Sequence, residues 1–423
     1  LRAMAQVVGA GGQAALLAPT EVLAAQHQAS LEALLGPLGR AGMLGGAQRA
    51  TRVMLLTGST PAARRREILT AVAGGEPAIV VGTHALLSET VRMPLLGLVV
   101  VDEQHRFGVA QRDALRERQG VTDPATGAER TPHLLVMTAT PIPRTIAMTV
   151  FGDLDTAVLD ELPAGRRPVV THLVPWERRS WVEGIWRRAA REVAAGGRVY
   201  VVCPRIDAGD QEQGDDVPEN PDGHLESRDA GEPVRSPAAV TEWAARLADE
   251  PALAGTDVVT LTGRMSGAEK DAAMEAFASG AAPVLVATTV IEVGVDVPEA
   301  SMMVILDADR FGLSQLHQLR GRVGRGERPS VCMAVTGVEV GSTAFHRLKA
   351  FAQTADGFAL AEADLELRSE GNVLGAAQSG RRSDLDLLRV TRDRWVIEAA
   401  RGEAEDIIAA DPDLEDHPAL AAA

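Results

Sequence analysis

The sequence predicts an α/β fold: two tandem parallel-sheet domains followed by a mostly helical C-terminal region. Three observations carry that reading. Short apolar runs alternate with helical stretches, the pattern of parallel strands buried on both faces. The alternation pauses once, around Leu159 to Pro168, where Pro163, Gly165 and Pro168 interrupt both periods, and then resumes. Beyond Gly337 the strand-like runs give way to helical spacing, with Phe345, Leu348 and Phe351 on one face.

In chain order, LRAMAQVVGAGGQ reads as the end of a helix stopped by Gly11-Gly12. A short buried strand follows at Ala14 to Ala18, then a Pro19-Thr20 turn with a helix starting at Thr20-Glu21. Val53 to Thr57 and Ala78 to Gly82 are strand-like, and the helix between them carries Arg64, Arg65 and Arg66 on a solvated face. Leu98 to Val101 is a fully buried strand that turns sharply polar at Asp102-Glu103. Leu134 to Met137 closes the first set and runs into TATPIPRT, Thr138 to Thr145, where two prolines forbid a simple helical exit. The second set is Arg198 to Cys203, Asp257 to Leu261, Pro283 to Thr288, Met302 to Leu306 and Ser330 to Val335.

A chain of 423 residues has room for two or three domains at roughly 150 residues each. No apolar run approaches the roughly 18 residues of a membrane span, and no leader-like segment opens the chain, so the expectation is a cytoplasmic protein without membrane contact. A monomer is expected. Cys203 and Cys332 both sit in strand-like runs and are packing residues. The net charge of −16 argues against a wholly basic nucleic-acid binder, but half of it lies between Asp207 and Pro237, where ten acidic residues face two arginines. Another acidic cluster, Glu403 to Asp416, lies near the C-terminus. Phosphate binding responds to charge within a Debye length of about 8 to 10 Å, so acidic appendages leave a DNA-facing groove possible. The segment 207–237 has almost no large apolar residue and is expected to be a disordered surface loop.

Ligands of open α/β sheets bind at the carboxyl ends of strands, which puts Asp102-Glu103 at the mouth of a site. An Asp there can hold Mg²⁺ and a neighbouring Glu can polarise the water that attacks a γ-phosphate. An ordinary solvated acidic turn would look the same in isolation. Thr20 at a helix N-terminus suits a phosphate, but taken alone a plain strand-turn-helix is the better reading. Arg320, Arg322 and Arg325 share one short segment around two glycines. A planar, permanently charged fork fits a developing phosphoryl charge, and a solvated basic helix end is the alternative.

Longer matches narrow these choices. DEQH followed by RFGV, Asp102 to Val109, resembles motif II of the superfamily-two DNA helicases and, within them, the RecG family. PTEVLA from Pro19 resembles motif Ia, TATPIPR from Thr138 motif III, ATTVIEVGVDVP from Ala287 motif V, and QLHQLRGRVGRG from Gln315 motif VI. The resemblance implies two RecA-like domains, ATP and Mg²⁺ as cofactors, and branched or double-stranded DNA as partner. It implies catalytic roles for Asp102 (with Mg²⁺), Glu103, Arg322 and Arg325. It also implies nucleotide coupling by Gln104, His105, Thr138, Thr140, Gly294, Asp296 and Gln318. DNA contacts are implied for Pro19, Thr20, Thr57, Gly58, Thr83, His84, Thr288 and Thr289. The stretch Asp356 to Gly380 resembles a translocation motif shared by RecG and the transcription-repair coupling factor, with Arg368 and Gln378 at matching positions. It departs from the family at Ser369-Glu370-Gly371, where Gly-Pro-Gly is usual.

The expected domains are 1–162 (motifs Ia to III), 163–340 (motifs IV to VI with the acidic insert 207–237) and 341–423 (translocation motif). No G-x-x-x-x-G-K-[ST] loop occurs, and neither Lys270 nor Lys349 follows a glycine. By resemblance the chain begins just after that loop, so the first domain is expected to be incomplete and the chain to be an N-terminally truncated fragment, without the wedge region, that hydrolyses ATP negligibly by itself. The leading function is an ATP-dependent helicase that remodels branched DNA, such as stalled forks and Holliday junctions, in recombination and repair. The alternatives are a translocase like the coupling factor, and a non-catalytic DNA-binding protein on a helicase scaffold.

Overall fold

The computed structural model describes residues 1–41, 46–47, 50–88, 90–103, 121–122, 129–138, 157, 159, 168–207, 236–292, 296–367, 394–412 and 414–421. They fall into two compact units, one holding the described residues through Thr138 and the other those from Ala157 on.

The first unit is built on a parallel sheet in the order β2-β3-β1-β4-β7. Its strands are β1 (Gln13–Leu17), β2 (Arg52–Leu56), β3 (Ala78–Gly82), β4 (Leu96–Val101) and β7 (His133–Val136). A two-residue antiparallel pair, β5 (Val121–Thr122) and β6 (Glu129–Arg130), lies between β4 and β7 in sequence. Its helices are α1 (Arg2–Gly9), α2 (Glu21–Leu35) and α3 (Ala62–Ala73). Successive side chains of a strand point to opposite faces, and the core divides accordingly. Ala14, Leu16, Val53, Ile79, Val81, Leu98 and Val100 pack with Met4 and Val8 of α1 and Ala24 and Leu31 of α2. Ala15, Leu17, Met54, Leu56, Val80, Val99 and Val101 pack with Ile68 and Val72 of α3. β1 and β3 are buried at every position, as the unbroken apolar runs require.

Register sets the site. Leu56 pairs with Gly82, Gly82 with Leu17, Leu17 with Val101, and Val101 with Val136, so the five strands end on one row. Gly82 belongs there because a Cβ at that position would lie 2.1 Å from the Leu56 carbonyl oxygen and 2.9 Å from the Leu86 side chain. Backbone cannot yield as a flexible side chain can. Gly82→Ala is therefore expected to destabilise the first unit by about 1–3 kcal/mol, read as a lower denaturant midpoint for that unit in urea unfolding.

The second unit carries a six-stranded parallel sheet in the order β10-β11-β9-β12-β13-β8. In chain order its elements are β8 (Val170–Pro175), α4 (Arg179–Ala194), β9 (Arg198–Val202), α5 (Val240–Ala248), β10 (Val258–Leu261), α6 (Gly267–Ser279) and β11 (Val284–Ala287). They continue with β12 (Ala300–Ile305), α7 (Leu313–Arg320), β13 (Val331–Thr336), α8 (Thr343–Gln353), α9 (Gly357–Leu367) and α10 (Arg394–Ala410). One face packs Tyr200, Leu285, Met303, Ile305 and Cys332 against Phe277 of α6, Leu316 and Leu319 of α7, and Leu348 and Phe351 of α8. The other packs Val199, Val201, Val286, Met302 and Val304 against Ile185 and Trp186 of α4 and Trp243 and Leu247 of α5. Cys203 and Cys332 are both buried and free, with burial pushing the Cys332 thiol up to about 12 against the opposing pull of Arg320.

Strand β8 corrects the sequence reading, which placed no strand between the Pro168 break and Arg198. It is an edge strand whose first four residues alternate between exposed and half-buried, with Val170 56% exposed; only Val174 is buried, and the strand ends at Pro175. Edges tolerate proline and need no continuous apolar run, so the usual signal is missing. The expected loop at 207–237 falls outside the described residues for 208–235, and the expected boundary at 162–163 also lies outside them. Among the described residues no helix is long and apolar enough to cross a membrane.

Candidate nucleotide and DNA site

The row of strand ends in the first unit collects most of the motif residues expected in that unit. Thr57 follows β2, Thr83 follows β3, Pro19 and Thr20 follow β1 by one residue, Asp102 follows β4, and Thr138 lies one residue beyond Met137 at the end of β7. At about 4.8 Å per strand, five motifs share an edge under 20 Å long. Ladder bonds continue past the strands: the Asp102 amide donates to Leu17 O at 2.9 Å and the Met137 amide to Val101 O at 2.8 Å.

Asp102 and Glu103 are both half-buried. The Asp102 carboxylate accepts from His27 Nε2 at 2.7 Å on Oδ2 and from the Glu103 amide at 3.1 Å on Oδ1. Glu103 has φ of 52°, the left-handed region that a side chain enters only at a cost of about 1–2 kcal/mol. The turn after β4 thus holds two adjacent carboxylates at the strand end. Among the described residues no group of three or more His, Cys, Asp or Glu could hold a metal ion. A single carboxylate suits Mg²⁺, which keeps several waters and is bound through one or two carboxylates plus substrate phosphates, so the residues present fit.

Thr20 caps α2, its Oγ1 accepting from the Leu23 amide at 3.3 Å. The Thr57 and Thr83 side chains are buried, so any nucleic-acid contact at those two turns falls to backbone groups. The Thr57 turn is held internally by the Thr57 amide donating to Thr60 Oγ1 at 2.9 Å. It is also tied to α2, because the Glu21 carboxylate accepts from the Ser59 amide at 3.1 Å and from the Ser59 hydroxyl. Gly58 is exposed, and His84 opens a short 3-10 turn, His84–Leu87.

In the second unit, Thr288 follows β11 and Thr289 opens a short 3-10 turn, both half-buried. Arg325 donates through Nε to Gly321 O at 2.9 Å and pairs with Asp296 at 3.2 Å. Two expected site residues from separate motifs therefore meet. Arg322 and Gln318 are half-buried nearby in sequence, and both Arg322 and Arg325 oppose the burial that pushes the Tyr200 hydroxyl up to about 12. Arg320, from the same segment, is 4% exposed. It donates through Nη1 to Phe351 O at 2.9 Å and Thr354 O at 2.7 Å, and its guanidinium lies 4.7 Å from the Phe351 ring. It joins α7 to the end of α8, and burial lowers its pKa from the usual arginine value. Gln104, His105, Thr140, Gly294, Arg368 and Gln378 lie outside the described residues. His27 was not foreseen, because it does not sit at a strand end where sequence reasoning looks for chemistry; Arg320, grouped in the sequence with Arg322 and Arg325, is instead buried against carbonyl groups at the end of α8.

A parallel sheet with an acidic motif at its carboxyl ends, and a second parallel-sheet unit with an arginine segment between α7 and β13, match the class of superfamily-two helicases. The family described as DEAD/DEAH box helicase matches residues 1–149, and helicase conserved C-terminal domain matches 238–327. ATP-dependent DNA helicase RecG, domain 3, C-terminal, matches 354–421. ATP-dependent DNA helicase RecG of Mycobacterium tuberculosis (strain ATCC 25618 / H37Rv) is 52% identical over 400 residues, covering 94% of this chain and 51% of the relative. The Synechocystis protein of the same name is 43% identical over 410 residues, covering 97% of this chain and 43% of the relative. The solved structure of RecG bound to a three-way DNA junction superposes with a TM-score of 0.63 at 35% identity, over 92% of this chain and 44% of that one. The DNA-bound helicase MrfA shares the fold at a TM-score of 0.56 and 16% identity, over 84% of this chain and 46% of that one. The chain belongs to the RecG family of ATP-dependent DNA helicases. It spans about half the length of the curated relatives it matches.

Proposed function

We propose that these residues form the motor portion of a cytoplasmic ATP-dependent helicase that remodels branched DNA. The observation that carries the reading is the shared row of strand ends, which sets Asp102-Glu103 and the Thr20, Thr57 and Thr83 turns along one edge of one sheet. In this reading Asp102 holds Mg²⁺, which would supply charge neutralisation at the phosphates. Glu103 accepts the proton of the attacking water, Arg322 and Arg325 stabilise negative charge on the transferring phosphoryl group, and Thr138 and Asp296 relay nucleotide state. Pro19, Thr20, Gly58 and the Thr57, Thr83 and Thr288 turns contact the sugar-phosphate backbone. The domains in this reading are 1–162, 163–340 and 341–423. The match of 354–421 to a RecG-specific region supports this over the coupling-factor alternative.

The test is a chimera in which these residues replace the matching part of the Mycobacterium tuberculosis relative. The expected result is junction-stimulated ATP hydrolysis within about tenfold of the relative, with unwinding of a four-way junction. Hydrolysis that no branched or duplex DNA stimulates would rule the motor reading out and favour the non-catalytic alternative.

A further inference from the structure

His27 lies seven residues beyond Thr20, two turns along α2 and so on the same side of the helix. It reaches Asp102, with the two side chains 29% and 20% exposed. The Asp102 amide in turn bonds Leu17 at the end of β1, and from Leu17 the chain passes through Ala18 and Pro19 to the Thr20 cap of α2. These links close a ring: β1 to α2, α2 through His27 to Asp102, and Asp102 back to β1. α2 cannot move along the sheet edge without turning the Asp102 carboxylate or breaking the 2.7 Å bond. With one oxygen held by His27 and the other by the Glu103 amide, the carboxylate has a fixed plane and keeps its remaining lone pairs for other partners.

We propose that His27 is a positioning residue that transmits DNA engagement at the N-terminus of α2 to the Asp102 carboxylate at the nucleotide end of β4. The proposal rests on the roles assigned above to Thr20 and Asp102. Acting through another residue's orientation is the usual task of groups behind a metal-facing carboxylate.

The experiment is hydrogen–deuterium exchange on the full 423-residue chain, with and without saturating duplex DNA, for the natural protein, His27→Ala and His27→Gln. Glutamine can place an amide donor near the Nε2 position. In the natural protein, duplex is expected to slow exchange by about fivefold or more both over 21–25 and over 101–103. His27→Ala should keep the first effect and lose the second, and His27→Gln should restore it. Slowing confined to 21–25 in the natural protein, equal slowing at 101–103 in His27→Ala, or His27→Gln behaving as alanine would each overturn the coupling. So would a fall in Tm beyond about 4 °C in His27→Ala, which marks the bond as a scaffold contact. Fluorescence anisotropy on the same duplex separates the two layers. No binding by the natural protein sinks the DNA reading and the coupling together, whereas binding without protection at 101–103 sinks the coupling alone.

Discussion

Glu103→Gln in the chimera is expected to lower DNA-stimulated kcat by about 10²–10⁴ while leaving duplex affinity within about twofold. The substitution keeps size and shape, and the amide cannot take a proton from water. Glu103 is well suited to the comparison because its backbone sits at φ of 52°, a conformation the turn after β4 imposes on either side chain. The Asp102 carboxylate also keeps its bond from the residue 103 amide, since that bond uses backbone. The loss is therefore expected in kcat rather than in stability or KM. Steady-state kinetics with saturating junction DNA, beside a urea unfolding curve, would check it. A rate within threefold of the unsubstituted chimera would remove Glu103 as the base.

Much of the fold was legible because parallel strands covered on both faces write themselves as unbroken apolar runs. β1, β3, β4, β9, β11 and β12 all appear in that form, and each lies within two residues of its expected bounds. The motif positions follow directly, since a polar residue after such a run must sit at a strand end. β8 was not legible: at the edge of its sheet it needs only alternate burial, and prolines bracket it. Side-chain pairing was not legible either. His27 and Asp102 are 75 positions apart, and Arg320 meets Phe351 O across 31. Nothing in the local pattern distinguishes a histidine on a half-buried helix face from one that orients a carboxylate. The threonines show the same limit in reverse, because Thr57 and Thr83 match their motifs while their side chains point into the protein.

Arg320 and Arg325 separate structure from chemistry within five residues. Arg320 is buried and satisfies two carbonyl groups, so its removal tests the packing of α7 on α8. Arg325 is one-third exposed, and its pair with Asp296, itself 55% exposed, contributes about 0–1 kcal/mol after solvent screening. Removing Arg325 therefore leaves stability almost unchanged, and any large effect must come from chemistry. Arg325→Ala in the chimera is expected to lower kcat by about 10³–10⁵, the range for an arginine that stabilises a transferring phosphoryl group. Arg325→Lys should also fall well short of full activity, because an ammonium replaces the planar fork with a point charge and cannot bond two oxygens in parallel. Single-turnover hydrolysis with prebound nucleotide isolates that step from binding. Near-normal turnover by Arg325→Lys would mean that charge alone suffices, and near-normal turnover by Arg325→Ala would return this residue to the role of a solvated helix end.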